Sequence, residues 1–230
     1  MSRPATDGVI FDLDDTLFDC SGQLTAPARR RAAAVLAREA ATLSEAEAFR
    51  LQTEWSAKTG STEAIREIAR VHALSEAALN EALAIYNTPD VPRIIPFPDA
   101  ISTLEALKAA ELPLTLVTSG VPDRQLAKID RLGMRPFFST NSGNLYLHDP
   151  SAEGPSKAPY LRQAAGWMAL PHDRIAVVGD KPESEIEAGN RLGMTTILMK
   201  AADVVSLPRA PDQTPDFEID CLGDLTEILL

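Results

Sequence analysis

Asp12 and Asp14 stand two residues apart at the end of the apolar run Val9-Ile10-Phe11. Carboxylates this close repel each other and pull protons up in pKa unless a divalent cation or a lysine compensates, so the pair asks for a positive partner. A carboxylate at a strand end can attack phosphorus and form an acyl phosphate, which divides a difficult hydrolysis into two easier steps. A second carboxyl two residues on can first protonate a leaving oxygen and later activate water. The plainer alternative is a strand that ends in an acidic, solvated turn. Thr118, at the end of the apolar run Leu114 to Thr118 and followed by Ser119-Gly120, can offer a hydroxyl and open backbone amides to an anion, although Ser and Gly are also common in ordinary turns. Lys157 can supply a point charge, or it can be one more solvated lysine. A further acidic group, Asp180, Glu183 and Glu185, follows the apolar Val177-Val178-Gly179.

These residues need strands that deliver them to a common edge. Val9 to Phe11 has the β-branched and aromatic content of a buried strand. At strand period Asp12 and Asp14 share a face, whereas a turn beginning at Leu13 would present Asp14 from a loop. From Asp19 to about Pro92 the composition shifts to Ala, Glu, Arg and Leu at helical spacing, which predicts an all-helical insertion. Ala26 to Ala41 is its first helix, Ser44-x-x-Glu47 a capping box opening the second, and Ser61 and Ser75 introduce two more. Trp55 and His72 could reach a substrate, although packing is the more frequent fate of a Trp on a helix. Thr88-Pro89-Asp90-Val91-Pro92 and Pro96-Phe97-Pro98 mark the exit, because proline ends helices on either side.

Helices and strands then alternate. Helices are expected at Asp99–Ala110, Pro122–Leu132, Pro159–Met168, Ser184–Leu192 and Asp224–Leu229, and strands at Leu114–Thr118, Arg174–Val178, Thr195–Met199 and Phe217–Ile219, with a short apolar Phe137-Phe138 between. This alternation predicts an α/β fold, a Rossmann-like parallel sheet with helices on both faces, whose ligand site lies beyond the carboxyl ends of the strands. Asp12, Thr118 and Asp180 all fall at such ends. The expected organisation is a core of residues 1–18 and 93–230 with a helical cap at 19–92.

The stretch Asp12-Leu13-Asp14-Asp15-Thr16-Leu17 resembles the signature of the haloacid dehalogenase-like hydrolases. Leu116-Val117-Thr118-Ser119-Gly120, Ser156-Lys157-Ala158-Pro159 and Val177-Val178-Gly179-Asp180-Lys181-Pro182-Glu183-Ser184-Glu185-Ile186 follow in that family's order. The resemblance implies Asp12 as nucleophile, Asp14 as general acid and base, and Thr118, Ser119, Gly120 and Lys157 as phosphoryl contacts. It implies Mg²⁺ held by the side chains of Asp12 and Asp180 and the backbone carbonyl of Asp14, with Glu185 standing where the family more often has aspartate; Glu183 is the alternative. Asp15 is given a structural role. The acid at position 14 argues for the phosphatase branch and against the dehalogenase branch. The implied activity is hydrolysis of a small phosphorylated metabolite under the helical cap. A phosphosugar mutase is the alternative within the family; a signalling receiver domain or a silent binding protein on this fold is the alternative outside it. A receiver is disfavoured by length, by the helical insertion and by the acid pair lying on the first strand.

A hydrophobic content of 45% suffices for a sizeable core, and the formal charge of -11 gives neither nucleic acid nor an anionic membrane a reason to approach. Arg29-Arg30-Arg31 is the sole basic run and reads as a solvated helix face, with an anion contact as the alternative. Cys20 and Cys221 lie far apart without metal-ligand spacing, and no long apolar stretch opens the chain. Free thiols and a cytoplasmic location are therefore expected.

Overall fold

In a computed structural model of the chain, residues 4–40, 42–88, 90–150, 154, 156–200 and 208–230 are described. Strand β1 (Gly8–Phe11) is buried along its whole length. It lies inside a six-stranded sheet of order β3-β2-β1-β4-β5-β6, where β2 is Leu114–Ser119, β3 Leu145–His148, β4 Ile175–Gly179, β5 Thr195–Met199 and β6 Phe217–Ile219. Every pairing is parallel, with Val9 opposite Leu114 on one side of β1 and Gly8 opposite Ile175 on the other. A parallel sheet needs both faces covered, which is why its strands read as continuous apolar runs. On one face Ile10, Val117, Ile175 and Val177 pack with Leu161, Ala164 and Ala165 from the helix Ala158–Met168 and with Ala188 from the helix Glu187–Leu192. Phe11 alternates to the other face, where its ring centroid lies 6.4 Å from that of Phe138. Gly8 lies close under this layer: a Cβ there would lie 2.7 Å from Met168 Sδ and 2.8 Å from Leu170 Cδ1, so the ends of those two side chains would have to move. The architecture is the expected Rossmann-like α/β fold.

The described residues divide into two compact units, one of residues up to Cys20 and from Arg93 onward, the other Ser21–Pro92. Within the second, a π-helical turn (Ser21–Thr25) precedes α1 (Ala26–Glu39), α2 (Glu45–Thr59), α3 (Ser61–Val71) and α4 (Glu76–Tyr86). Small and branched residues, among them Ala32, Leu36, Ala48, Ile65, Ile68 and Ala82, form its core, and Trp55 packs against them. Ser44 accepts from the Glu47 amide and Ser75 from the Ala78 amide, so both serines cap as expected. Ser61 does not; Gly60 caps α3 at φ +85°, a conformation that glycine adopts without strain. Ala41 and Pro89 lie outside the described residues. The basic run is more engaged than a solvated face: Arg29 donates to Ser56 Oγ at 2.6 Å, and Arg30 stacks over the Phe49 ring.

The core unit continues with α5 (Ala100–Ala109), α6 (Pro122–Arg131), α7 (Ala158–Met168), α8 (Glu187–Leu192) and α9 (Asp224–Leu229). Two of its elements differ from the sequence reading. Strand β3 was not expected; buried Asn144 anchors it by donating to the carbonyls of Leu114 and Phe137 at 2.9 and 2.7 Å. The helix expected from Ser184 opens instead with a π-helical turn, Pro182–Ile186, before α8 begins.

Candidate active site

Asp12 follows β1 directly, and its amide donates to the Val178 carbonyl at 2.9 Å, which sets it at the carboxyl end of the sheet's interior. The chain then turns. Leu17 N donates to the Leu13 carbonyl at 2.9 Å and Asp15 takes φ +60°, a left-handed conformation that Asp tolerates better than most residues. Of the two placements open for Asp14, the loop is the one adopted. Its carboxylate is held by α6: Lys128 Nζ donates to the two oxygens at 2.8 and 2.7 Å, and Gln125 Nε2 reaches one of them at 3.3 Å.

Lys157, buried at the start of α7, donates from Nζ to Asp12 Oδ1 at 2.6 Å and to Glu185 Oε1. Glu185 reaches inward because the π-helical turn swings it back over Gly179. A Cβ on Gly179 would lie 2.5 Å from Glu185 Cγ, so only glycine leaves room. Ser184 Oγ donates to the same Glu185 oxygen at 3.0 Å. Asp180 faces Lys181, whose Nζ is 3.6 Å from Oδ2. Asp12, Asp180 and Glu185 each bring one carboxylate oxygen within 4.8 Å of the others, while Glu183 is exposed and outside the group. Asp180 Oδ1 and Glu185 Oε2 are buried without a hydrogen-bond partner. Buried carboxylate oxygens of this kind are costly unless a cation claims them, so the donor set fits a hard divalent ion.

The charges are uneven. Burial raises Asp12 to about 6 despite Lys157, with Glu185 adding to the rise. Burial likewise lifts Asp180 well above the carboxylate range; Lys181 offsets only part of this, and Glu185 and Asp12 add to it. For Glu185 burial acts upward too, but Lys157 and Lys181 outweigh it and the group ends below its usual value. Burial opposes the charge on Lys157, yet Asp12 and Glu185 overcome it and hold the ammonium protonated.

A cavity of about 210 Å³ is lined by Asp12, Asp14, Ser119, Lys157, Lys181 and Glu185, with Pro150 and Ser184 completing the wall. Thr118 and Gly120 are not on this lining. Thr118 is fully buried and its hydroxyl accepts from Gln125 Nε2 at 2.6 Å. The Gly120 amide, expected to be open to an anion, donates to the His148 carbonyl at 2.9 Å. Ser119 Oγ lies 2.9 Å from His148 Nδ1, and His148 Nε2 lies 2.7 Å from the Gly154 carbonyl oxygen. That carbonyl can only accept, so in the neutral ring Nε2 carries the proton and Nδ1 accepts from the Ser119 hydroxyl. Gln125, Lys128, His148 and Gly179 were missed as contributors. Gln125 and Lys128 were detectable in principle, since they stand three apart and share a face with the apolar Ile129 on a helix next to Thr118.

The model of the haloacid dehalogenase-like hydrolases matches residues 6–193. The chain belongs to that family. A glyceraldehyde 3-phosphate phosphatase from Methanopyrus kandleri is 31% identical over 96% of each chain, and one from Methanocaldococcus jannaschii is 26% identical over 96% of each. The crystal structure of a predicted phosphoglycolate phosphatase from Haemophilus somnus superposes with a TM-score of 0.69 at 20% identity, covering 99% of both chains, which supports the fold. The chain is accordingly a hydrolase, and its curated relatives place it with the enzymes that act on phosphate esters. Among the described residues no helix is long and apolar enough to cross a membrane.

Proposed function

We propose that the chain is a Mg²⁺-dependent phosphatase of a small phosphorylated metabolite, working through an aspartyl phosphate on Asp12. The observation that carries this reading is the position of Asp12: buried at the end of β1, tied to Lys157 at 2.6 Å, and sharing one small cavity with Asp14. An Asp12 oxygen attacks phosphorus, the ester P–O bond breaks, and the leaving oxygen takes the proton of Asp14. Asp14 then removes a proton from water, which attacks phosphorus and frees Asp12, so one water is consumed for one alcohol and one phosphate released. Lys157 holds Asp12 in place and offsets charge on the transferring group. Asp12, Asp180 and Glu185, with the Asp14 backbone carbonyl, would hold Mg²⁺, which when bound neutralises charge on the phosphoryl oxygens. Ser119, on the cavity lining, is the better placed of the Thr118-Ser119-Gly120 contacts.

The relatives' substrate, glyceraldehyde 3-phosphate, is the first to try, and the helical insertion at 19–92 is assigned the choice among substrates. The unpaired Cys20 and Cys221 support a cytoplasmic site of action. Purified protein should release phosphate from members of a panel of phosphorylated metabolites only with Mg²⁺ present. Asp12→Asn should lower that rate by at least about 10³-fold while the protein still melts cooperatively. Metal-independent turnover, or turnover by the Asn variant, would contradict the proposal.

A further inference from the structure

Asp14 is held by a helix that contributes nothing else to the cavity. Lys128 on α6 is 5% exposed, and its Nζ contacts both Asp14 oxygens; beyond them it reaches Cys20 Sγ, at 3.8 Å. Burying an ammonium costs several kcal/mol unless it is well paired, and an apolar side chain would fill the same space with less penalty. Gln125, on the same face of α6, reaches Asp14 with the nitrogen that also contacts Thr118 Oγ1 and, at 3.1 Å, the Ser119 carbonyl. The loop residue Asp14 is thereby held by two side chains from one helix, of which Gln125 also ties it to the end of β2.

Resting on the phosphatase reading, we infer that Lys128 is a positioning residue for the proton transfer carried by Asp14, with Gln125 as its support. Proton transfer requires heavy atoms within hydrogen-bond reach, and a misplacement of about 1 Å costs about 10²-fold in rate. Without Lys128, the loop carboxylate loses both contacts from the ammonium and keeps the longer 3.3 Å contact from Gln125.

The test compares kcat/KM for phenyl phosphate, whose leaving oxygen is basic and needs a proton, with that for p-nitrophenyl phosphate, whose leaving group departs almost unaided. Lys128→Met should lower the phenyl phosphate value on the order of 10²-fold and the p-nitrophenyl value by less than about 10-fold. Lys128→Arg should recover part of the loss. In an Asp14→Asn background, Lys128→Met should add no more than about a two- to threefold change, because the two side chains act as one unit. Equal losses on both esters, or a full further loss in the Asp14→Asn background, overturn the inference. Where Lys128→Met lacks a cooperative melt, Gln125→Leu keeps the charge pair and must show a smaller loss with the same leaving-group bias; a loss without bias overturns the inference. Wild-type protein inactive on both esters overturns the phosphatase reading and the inference together, whereas an active wild type with unbiased losses overturns the inference alone.

Discussion

The helical unit and the strand ends both pair basic with acidic side chains, to opposite effect. On α2, Arg50 pairs with Glu47 and Glu54 at 2.5 Å, and all three side chains are about half exposed. On α3, Arg70 pairs with Glu67 in the same manner. At the strand ends, Lys157 pairs with Asp12 at 2.6 Å with 4% and 3% of the side chains exposed. Exposed pairs of the first kind contribute about 0–1 kcal/mol, because water already solvates both partners. Buried pairs add little net stability over an apolar replacement, but removal of one member strands the other. The difference teaches that the surface pairs are interchangeable, whereas the buried ones specify where particular atoms must sit.

The largest break in this contrast should come from Lys157→Met, which strands Asp12 and Glu185 together. Urea unfolding in metal-free buffer should show a loss of about 3–5 kcal/mol, and added Mg²⁺ should return part of it. A loss near zero would mean that the buried pair is no more specific than Arg50 with its glutamates. Gly179→Ala touches no charge but forces Glu185 outward, and should cost about 1–3 kcal/mol as an overpacked site. Its Mg²⁺ affinity, titrated by the shift in melting temperature, should also weaken, and unchanged affinity would remove Glu185 from the metal set. Arg50→Ala should shift stability by no more than about 0.5 kcal/mol and leave phosphate release unchanged. A larger effect would show that the exposed pairs also carry structure.

Much of this was legible in the sequence for a physical reason. Strands buried on both faces are nearly continuous apolar runs, so β1, β2, β4 and β5 stand out, and the acids that follow β1 and β4 mark the edge where they converge. Strand β3 was not visible because Leu145–His148 is a four-residue edge strand between a Ser-Gly-Asn turn and Asp149-Pro150, with only its ends buried. The partner of Asp14 was hidden differently. Lys128 and Gln125 share a helix face with Ile129, but the sequence does not say what that face covers; the packing of α6 against the end of β2 supplies it. The π-helical turn at Pro182–Ile186 was also invisible, since its residues suit an ordinary helix start; it forms where Gly179 lets Glu185 close back over the strand.

Placing the first strand in the middle of the sheet has a consequence for how the molecule is made. The side chains that hold Asp14, Asp12 and Asp7 are 114, 145 and 167 residues further along the chain. During synthesis at about 5–20 residues per second, Gly8–Phe11 therefore waits roughly 10–30 s for β4 to emerge and cover its second edge. Throughout that interval an apolar strand with unpaired amides is open to pairing with another nascent chain, and parallel pairings over such distances form slowly even once the sequence is complete. The strand at the heart of the finished sheet is the one that most needs shielding on the ribosome.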